Sequence, residues 1–183
     1  IYQGIFYGAT LSSEETSANS EAKLGNIRFD PMSMRPFIGY NVCEYFQHWI
    51  DFMKKLNVPP QFYLVNWFRK DEDDKFIWNG FSENSKILKW IFLQKEEQEQ
   101  EQEQEQEQAD EQSSAFGQHP SLSDLYLNET NDDDKRKWKQ LFYYKPEEII
   151  DFKMRVTDFF NELEKNSPVG IPQELKKQLD KLC

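Results

Sequence analysis

Residues 62–84 read FYLVNWFRKDEDDKFIWNGFSEN. An apolar, aromatic run (62–68) meets a charged turn (69–75), and a second aromatic run then ends in Asn-Gly-Phe-Ser-Glu-Asn. The pattern predicts two strands, residues 62–67 and 76–78, joined by a turn carrying Asp71, Glu72, Asp73 and Asp74. It has two physical readings. Flat rings beside a polar-ended turn can sandwich a planar base, and each stacked ring contributes about 1–3 kcal/mol. The same rings also suit an ordinary hairpin core, because aromatic side chains bury large areas.

Outward from this stretch, the chain alternates packed and solvated segments. Residues 4–10, GIFYGAT, predict a short buried strand bounded by glycines. Residues 11–26 are small and polar and predict a long surface loop, a length that is usually functional or disordered. Val42, Tyr45, Phe46, Trp49, Met53 and Leu56 recur at spacings of three and four, predicting an amphipathic helix over 40–56. A further helix is expected from Asn84 or Ser85, with Ile87, Leu88, Ile91 and Phe92 inward. It runs into a Gln/Glu repeat (96–108) with no apolar face, read as a solvated helical extension or a disordered insertion. Residues 109–134 predict a loose loop with an apolar patch at Leu122, Leu125, Tyr126 and Leu127. Pro146 suits a first helical turn. Ile149, Phe152, Val156, Phe159 and Leu163 follow as one face, and Leu175, Leu179 and Leu182 mark a last short helix.

The 183 residues carry a net charge of −11. Nine acidic residues fall within 96–112, and the remainder nets about −2. That leaves no basic surface pointing to nucleic acid. No apolar run approaches a membrane span. Cys43 and Cys183 predict reduced thiols, with Cys43 a small core residue. His48 and His119 are the only histidines, and neither belongs to a metal-ligand spacing. No Gly-x-x-x-x-Gly-Lys-[Ser/Thr] phosphate loop and no Gly-x-Ser-x-Gly elbow occur. A complete catalytic apparatus is not expected from these residues.

Three runs carry a resemblance: GIFYGATLSSEETSA (4–18), FDPMSMRPFIGYN (29–41) and YLVNWFRKDEDDKFIWNGFSEN (63–84). The chain resembles the C-terminal part of GTP-dependent phosphoenolpyruvate carboxykinase. The likeness is close over 4–93 and ordered but weaker over 138–182. The resemblance implies an α+β fold, part of a mononucleotide-binding C-terminal domain, with terminal helices. It implies a nucleotide-binding and lid segment (1–95), an acidic insertion (96–134) and closing helices (135–183). By the same resemblance, Trp67, Phe68, Phe76 and Phe81 enclose a guanine, Asn84 contacts its edge, and Gly80, Ser82 and Glu83 line the adjoining turn. Residues 13–25 resemble an active-site lid, with Ser13, Glu14, Thr16, Ala18 and Gly25 as gating candidates. Ordering such a loop costs conformational entropy that substrate binding must offset.

The implied partners are GTP/GDP and oxaloacetate/phosphoenolpyruvate. Mn²⁺ and Mg²⁺ are the implied metals, with ligands outside this segment. A monomer is expected, in the cytoplasm, with a mitochondrial location left open. Family members usually carry Arg at Ser12, His at Phe29, Pro at Asn79 and Gly at Ser82. The competing expectations are a truncated, non-catalytic guanine-nucleotide or protein-binding module, and a purely structural aromatic domain.

Overall fold

The computed structural model describes residues 1–14, 27–80, 83–100, 113–125 and 131–182, without the side chains of residues 14, 95–100 and 113. Seven helices are described: α1 (Tyr2–Ala9), α2 (Val42–Lys54), α3 (Asn84–Gln100), α4 (Leu122–Leu125), α5 (Asp132–Phe142), α6 (Pro146–Lys165) and α7 (Gln173–Asp180). Strands β1 (Ser12–Glu14) and β2 (Ile27–Phe29) pair antiparallel, as do β3 (Ser113–Ser114) and β4 (Gly117–Gln118). Helices with two small sheets agree with the α+β class. The chain divides into two compact units, Ile1–Leu64 with Pro146–Cys183, and Val65–Lys145.

The first unit is built on helix faces. In α2, Cys43, Phe46, Ile50 and Met53 are buried at spacings of three and four. The helix starts where Asn41 caps it, its side chain accepting from the Cys43 amide at 2.8 Å. Val156, Phe159 and Phe160 of α6 and Leu175 and Leu179 of α7 join the same core. So do Ile5, Phe6 and Ala9 of α1. Each fully buried large side chain contributes about 1.5–3 kcal/mol relative to exposure.

The segment expected as a strand over 4–10 is therefore a helix. Its glycines explain both the expectation and the outcome. Gly inside a helix costs about 1 kcal/mol relative to Ala, so Gly4 and Gly8 argue against a helix locally. Four residues apart, however, they share a face. A Cβ at Gly4 would collide with the Phe62 ring, and one at Gly8 with the Met32 thioether. The glycines let α1 approach both.

In the second unit, Trp78, Ile87 and Leu125 are buried, with Trp67, Ile91, Trp138, Leu141 and Phe142 packed around them. His119, expected in a loose loop, is buried and stacks on Phe142 with ring centroids 4.7 Å apart. Helix α3 starts where expected and continues to Gln100, into the Gln/Glu repeat. Only part of its expected inner face is covered, since Leu88 and Phe92 are exposed.

The two strands expected over 62–67 and 76–78 do not form. Their one ladder contact is an isolated antiparallel bridge between Lys70 and Phe76. A two-stranded ribbon is marginal without a third strand, and here the turn holds the segment instead. The Asp71 carboxylate accepts from the amides of Asp73 and Lys75, each at 2.9 Å. The Ile77 amide donates to the Arg69 carbonyl at 3.0 Å.

Candidate functional site

The turn at 71–75 projects two rings into solvent. Phe68 is 75% exposed and Phe76 is 58% exposed. They meet edge to face, centroids 6.1 Å apart at 64°. The Asn66 side chain fixes the approach to the first ring by accepting from the Phe68 amide at 3.2 Å. Lys70 lies 5.5 Å from the Phe76 ring centre and pairs with Asp74 at 2.8 Å. Because the two rings touch, a planar ligand would sit between them only after one side chain turned aside. Their exposure leaves room for that rotation.

Trp67 goes the other way. It is half-buried and tilted against Trp78, centroids 5.8 Å apart at 42°. Trp67 and Phe68 are neighbours in a turn, yet they divide between core and solvent. Beyond Trp78, Gly80 has φ of 80°, a left-handed conformation that favours glycine. Its surroundings are open, so the requirement is of the backbone alone. Glu83 is half-buried, pairs with Lys86, and donates its amide to the Gly80 carbonyl at 3.0 Å. Asn84 opens α3, and its Oδ1 accepts from the Trp78 indole N–H at 2.8 Å. Phe81 and Ser82 lie outside the described residues. Thus Phe68 with Phe76, and Trp78 with Asn84, are brought together, and Trp67 belongs to the packed layer.

In the first unit, the ends of the expected lid are held as a ladder. Ser12 faces Phe29, Ser13 faces Arg28 and Glu14 faces Ile27. Asp30, only 7% exposed, organises this stem. Its Oδ2 accepts from the Ser13 hydroxyl and its Oδ1 from the Arg35 amide, both at 2.9 Å. Its own amide donates to the Leu11 carbonyl at 2.7 Å. Phe29 stacks on Phe159, centroids 4.5 Å apart at 17°. Thr16, Ala18 and Gly25 lie outside the described residues.

Sequence reasoning missed Asp30 and Trp78. For Asp30 the signal was the Asp-Pro pair opening FDPMSMRPF, a turn-forming dipeptide whose carboxylate readily takes backbone amides. For Trp78 it was an indole six residues before an asparagine.

Among the described residues, no three His, Cys, Asp or Glu side chains are grouped to hold a metal ion. Burial pushes the Cys43 thiol up, the opposite of an activated nucleophile. No described helix is long and apolar enough to cross a membrane.

The family model described as phosphoenolpyruvate carboxykinase C-terminal P-loop domain matches residues 1–181. No phosphate-loop motif of the Gly-Lys-[Ser/Thr] type occurs in the 183 residues themselves. A phosphoenolpyruvate carboxykinase [GTP] of Thermoplasma volcanium is 36% identical over 177 residues, 97% of this chain and 27% of the relative. One from Corynebacterium jeikeium is 46% identical over 132 residues, 70% of this chain and 20% of the relative. One from Corynebacterium kroppenstedtii is 58% identical over 87 residues, 47% of this chain and 14% of the relative. The chain thus spans between 14% and 27% of the length of these curated relatives. With nearly every residue inside the family model, the chain belongs to the GTP-dependent phosphoenolpyruvate carboxykinase family and corresponds to part of its C-terminal P-loop domain.

Proposed function

We propose that this chain supplies the guanine pocket and the lid anchor of a GTP-dependent phosphoenolpyruvate carboxykinase. The observation that carries the reading is the pair Phe68 and Phe76. Large rings held out in water have little value for packing and suit a stacked base. Phe81, Ser82, Glu83 and Gly80 complete the pocket wall in this reading, and Asn84 addresses the base edge.

The reaction is the conversion of oxaloacetate and GTP to phosphoenolpyruvate, carbon dioxide and GDP. Loss of carbon dioxide leaves an enolate, and the γ-phosphoryl group traps it. This chain's part is to hold the nucleotide by its base. Precise placement of the nucleotide lowers the entropic cost of phosphoryl transfer at a distance from the base. In this reading residues 13–25 serve as the active-site lid that excludes water, and Asp30 organises the described β1–β2 pair. Mn²⁺ and Mg²⁺ do not fit the described residues, which offer no ligand cluster. The metal ligands, phosphate loop and oxaloacetate-binding groups belong to other parts of the protein. The protein acts as a cytoplasmic monomer, with the acidic tract over 96–134 an insertion outside the chemistry.

Tryptophan fluorescence of the full-length protein tests the pocket. GDP is expected to change the emission at concentrations where ADP does not. Equal responses to GDP and ADP would overturn a guanine-selective site.

A further inference from the structure

Phe68 and Phe76 stand on the two arms of one turn, and a single residue joins those arms. Arg69 follows Phe68 directly. Its carbonyl accepts at 3.0 Å from the amide of Ile77, which follows Phe76 directly. Rings this exposed have no core around them to fix where they stand, so the backbone carries that task.

The half-buried Arg69 side chain holds that backbone from the other side. Its guanidinium lies over the Tyr144 ring, 3.9 Å from the centroid. Nη2 donates to the Tyr143 carbonyl at 3.0 Å, and Nη1 to the Leu141 carbonyl at 3.5 Å. Both carbonyls lie at the C-terminal end of α5. Such carbonyls lack helical partners and carry the negative end of the helix dipole, so a cation is favoured there. Tyr144 in turn meets Phe116 edge to face, centroids 4.5 Å apart. A flat group that stacks on a ring while donating from two nitrogens has to be a guanidinium, because an ammonium has no plane to lay on the ring.

Resting on the reading of Phe68 and Phe76 as stacking walls, we propose that Arg69 is a positioning residue for the nucleotide. Leu141, Tyr143 and Tyr144, beyond the Gln/Glu tract, are its anchor. Arg69 acts through the two rings and does not touch the base. What it sets is the strength of stacking, which every base face offers, and it reads no base edge.

The test measures the dissociation constant for GDP by calorimetry and the KM values for GTP and oxaloacetate, all on the full-length protein. Arg69→Lys keeps the charge and loses the fork. Tyr144→Leu removes the ring beneath it, and Tyr144→Phe retains that ring. Arg69→Lys and Tyr144→Leu are each expected to weaken GDP and raise the KM for GTP by about fivefold, the lower end of what one stacked ring contributes. The KM for oxaloacetate should stay at the wild-type value, and Tyr144→Phe should bind GDP as wild type does. In a Phe68→Ala background the factor lost through Arg69→Lys should shrink, because one ring fewer is left to misplace. An equal factor in both backgrounds, or an equal loss of GDP and oxaloacetate binding, would make Arg69 structural only and overturn the proposal. A Tyr144→Phe loss as large as that of Tyr144→Leu would overturn it as well. Should Arg69→Lys melt below the assay temperature, Tyr144→Leu, which alters no residue of the turn, decides by the same measures. Unchanged GDP affinity in Phe68→Ala itself would sink the stacking walls. A loss in Phe68→Ala with none in Arg69→Lys or Tyr144→Leu sinks only the role of Arg69.

Discussion

Phe46 and Phe68 are the same side chain put to opposite uses. Phe46 sits in α2 with no exposed surface, inside a core shared by α1, α6 and α7. Phe68 stands three-quarters exposed at the edge of a turn held by one carboxylate. The core of the first region spends Phe6, Phe46, Phe159 and Phe160 on stability. The second holds two such rings in water, at a standing loss of the burial each could have had. An aromatic-rich sequence therefore says little about function until exposure separates rings that pack from rings that wait for a ligand.

The contrast can be broken from either side. The largest effect is expected at the core. Phe46→Ala should lower stability by about 3–5 kcal/mol, read from denaturant midpoints, because the cavity adds to the lost transfer energy. A change below 1 kcal/mol there would mean the helical core is not the stabilising region. A smaller effect is expected at Asp30. Asp30→Ala leaves the Arg35 amide and the Ser13 hydroxyl without their acceptor, at a cost of about 1–3 kcal/mol. If Asp30 also anchors a gate, turnover by the full-length protein should fall further than the stability loss explains. Turnover that simply tracks stability would make Asp30 structural only.

The smallest effect lies between α6 and α7. Lys176 pairs with Glu164 at 2.6 Å, and the Ile171 amide donates to the same carboxylate at 3.1 Å. The Lys176 contact first, and the Ile171 amide second, hold the Glu164 carboxyl below its ordinary value of 4.5. A depressed folded value means the contribution is present above the unfolded pKa and is lost as pH falls through the folded one. Glu164→Gln should therefore lower the melting temperature slightly at pH 7, with the difference from wild type shrinking as pH falls below 4.5 and lost as pH passes through the depressed folded value. A difference that persists into acid would place the effect in packing.

The helices that pack by periodicity were legible before the structure. The α2, α6 and α7 faces follow spacings of three and four, and Cys43 is buried as expected, although Ile50, equally deep in α2, was not singled out. What misled were local signals overridden by tertiary contact. The glycines of α1 read as strand punctuation because their value lies in Phe62 and Met32, distant in sequence. The run 62–67 read as a strand because its residues favour one, yet it has no ladder partner among the described residues. In the candidate site, Phe68 and Phe76 were identifiable as a pair. Nothing in the sequence distinguished the inward ring of Trp67 from the outward ring of Phe68. The Trp78–Asn84 hydrogen bond depends on a bend at Gly80 that residue types alone do not fix.

The most direct test of the central claim measures two quantities on one variant. GDP affinity and melting temperature are determined for the full-length protein and for Phe68→Ala. The expected result is an affinity loss of about tenfold or more, in line with one lost stacking partner, with the melting temperature nearly unchanged, as for other exposed positions. Unchanged GDP affinity, or a loss that appears only together with a large fall in melting temperature, would contradict the claim that Phe68 is held out in water to meet a base.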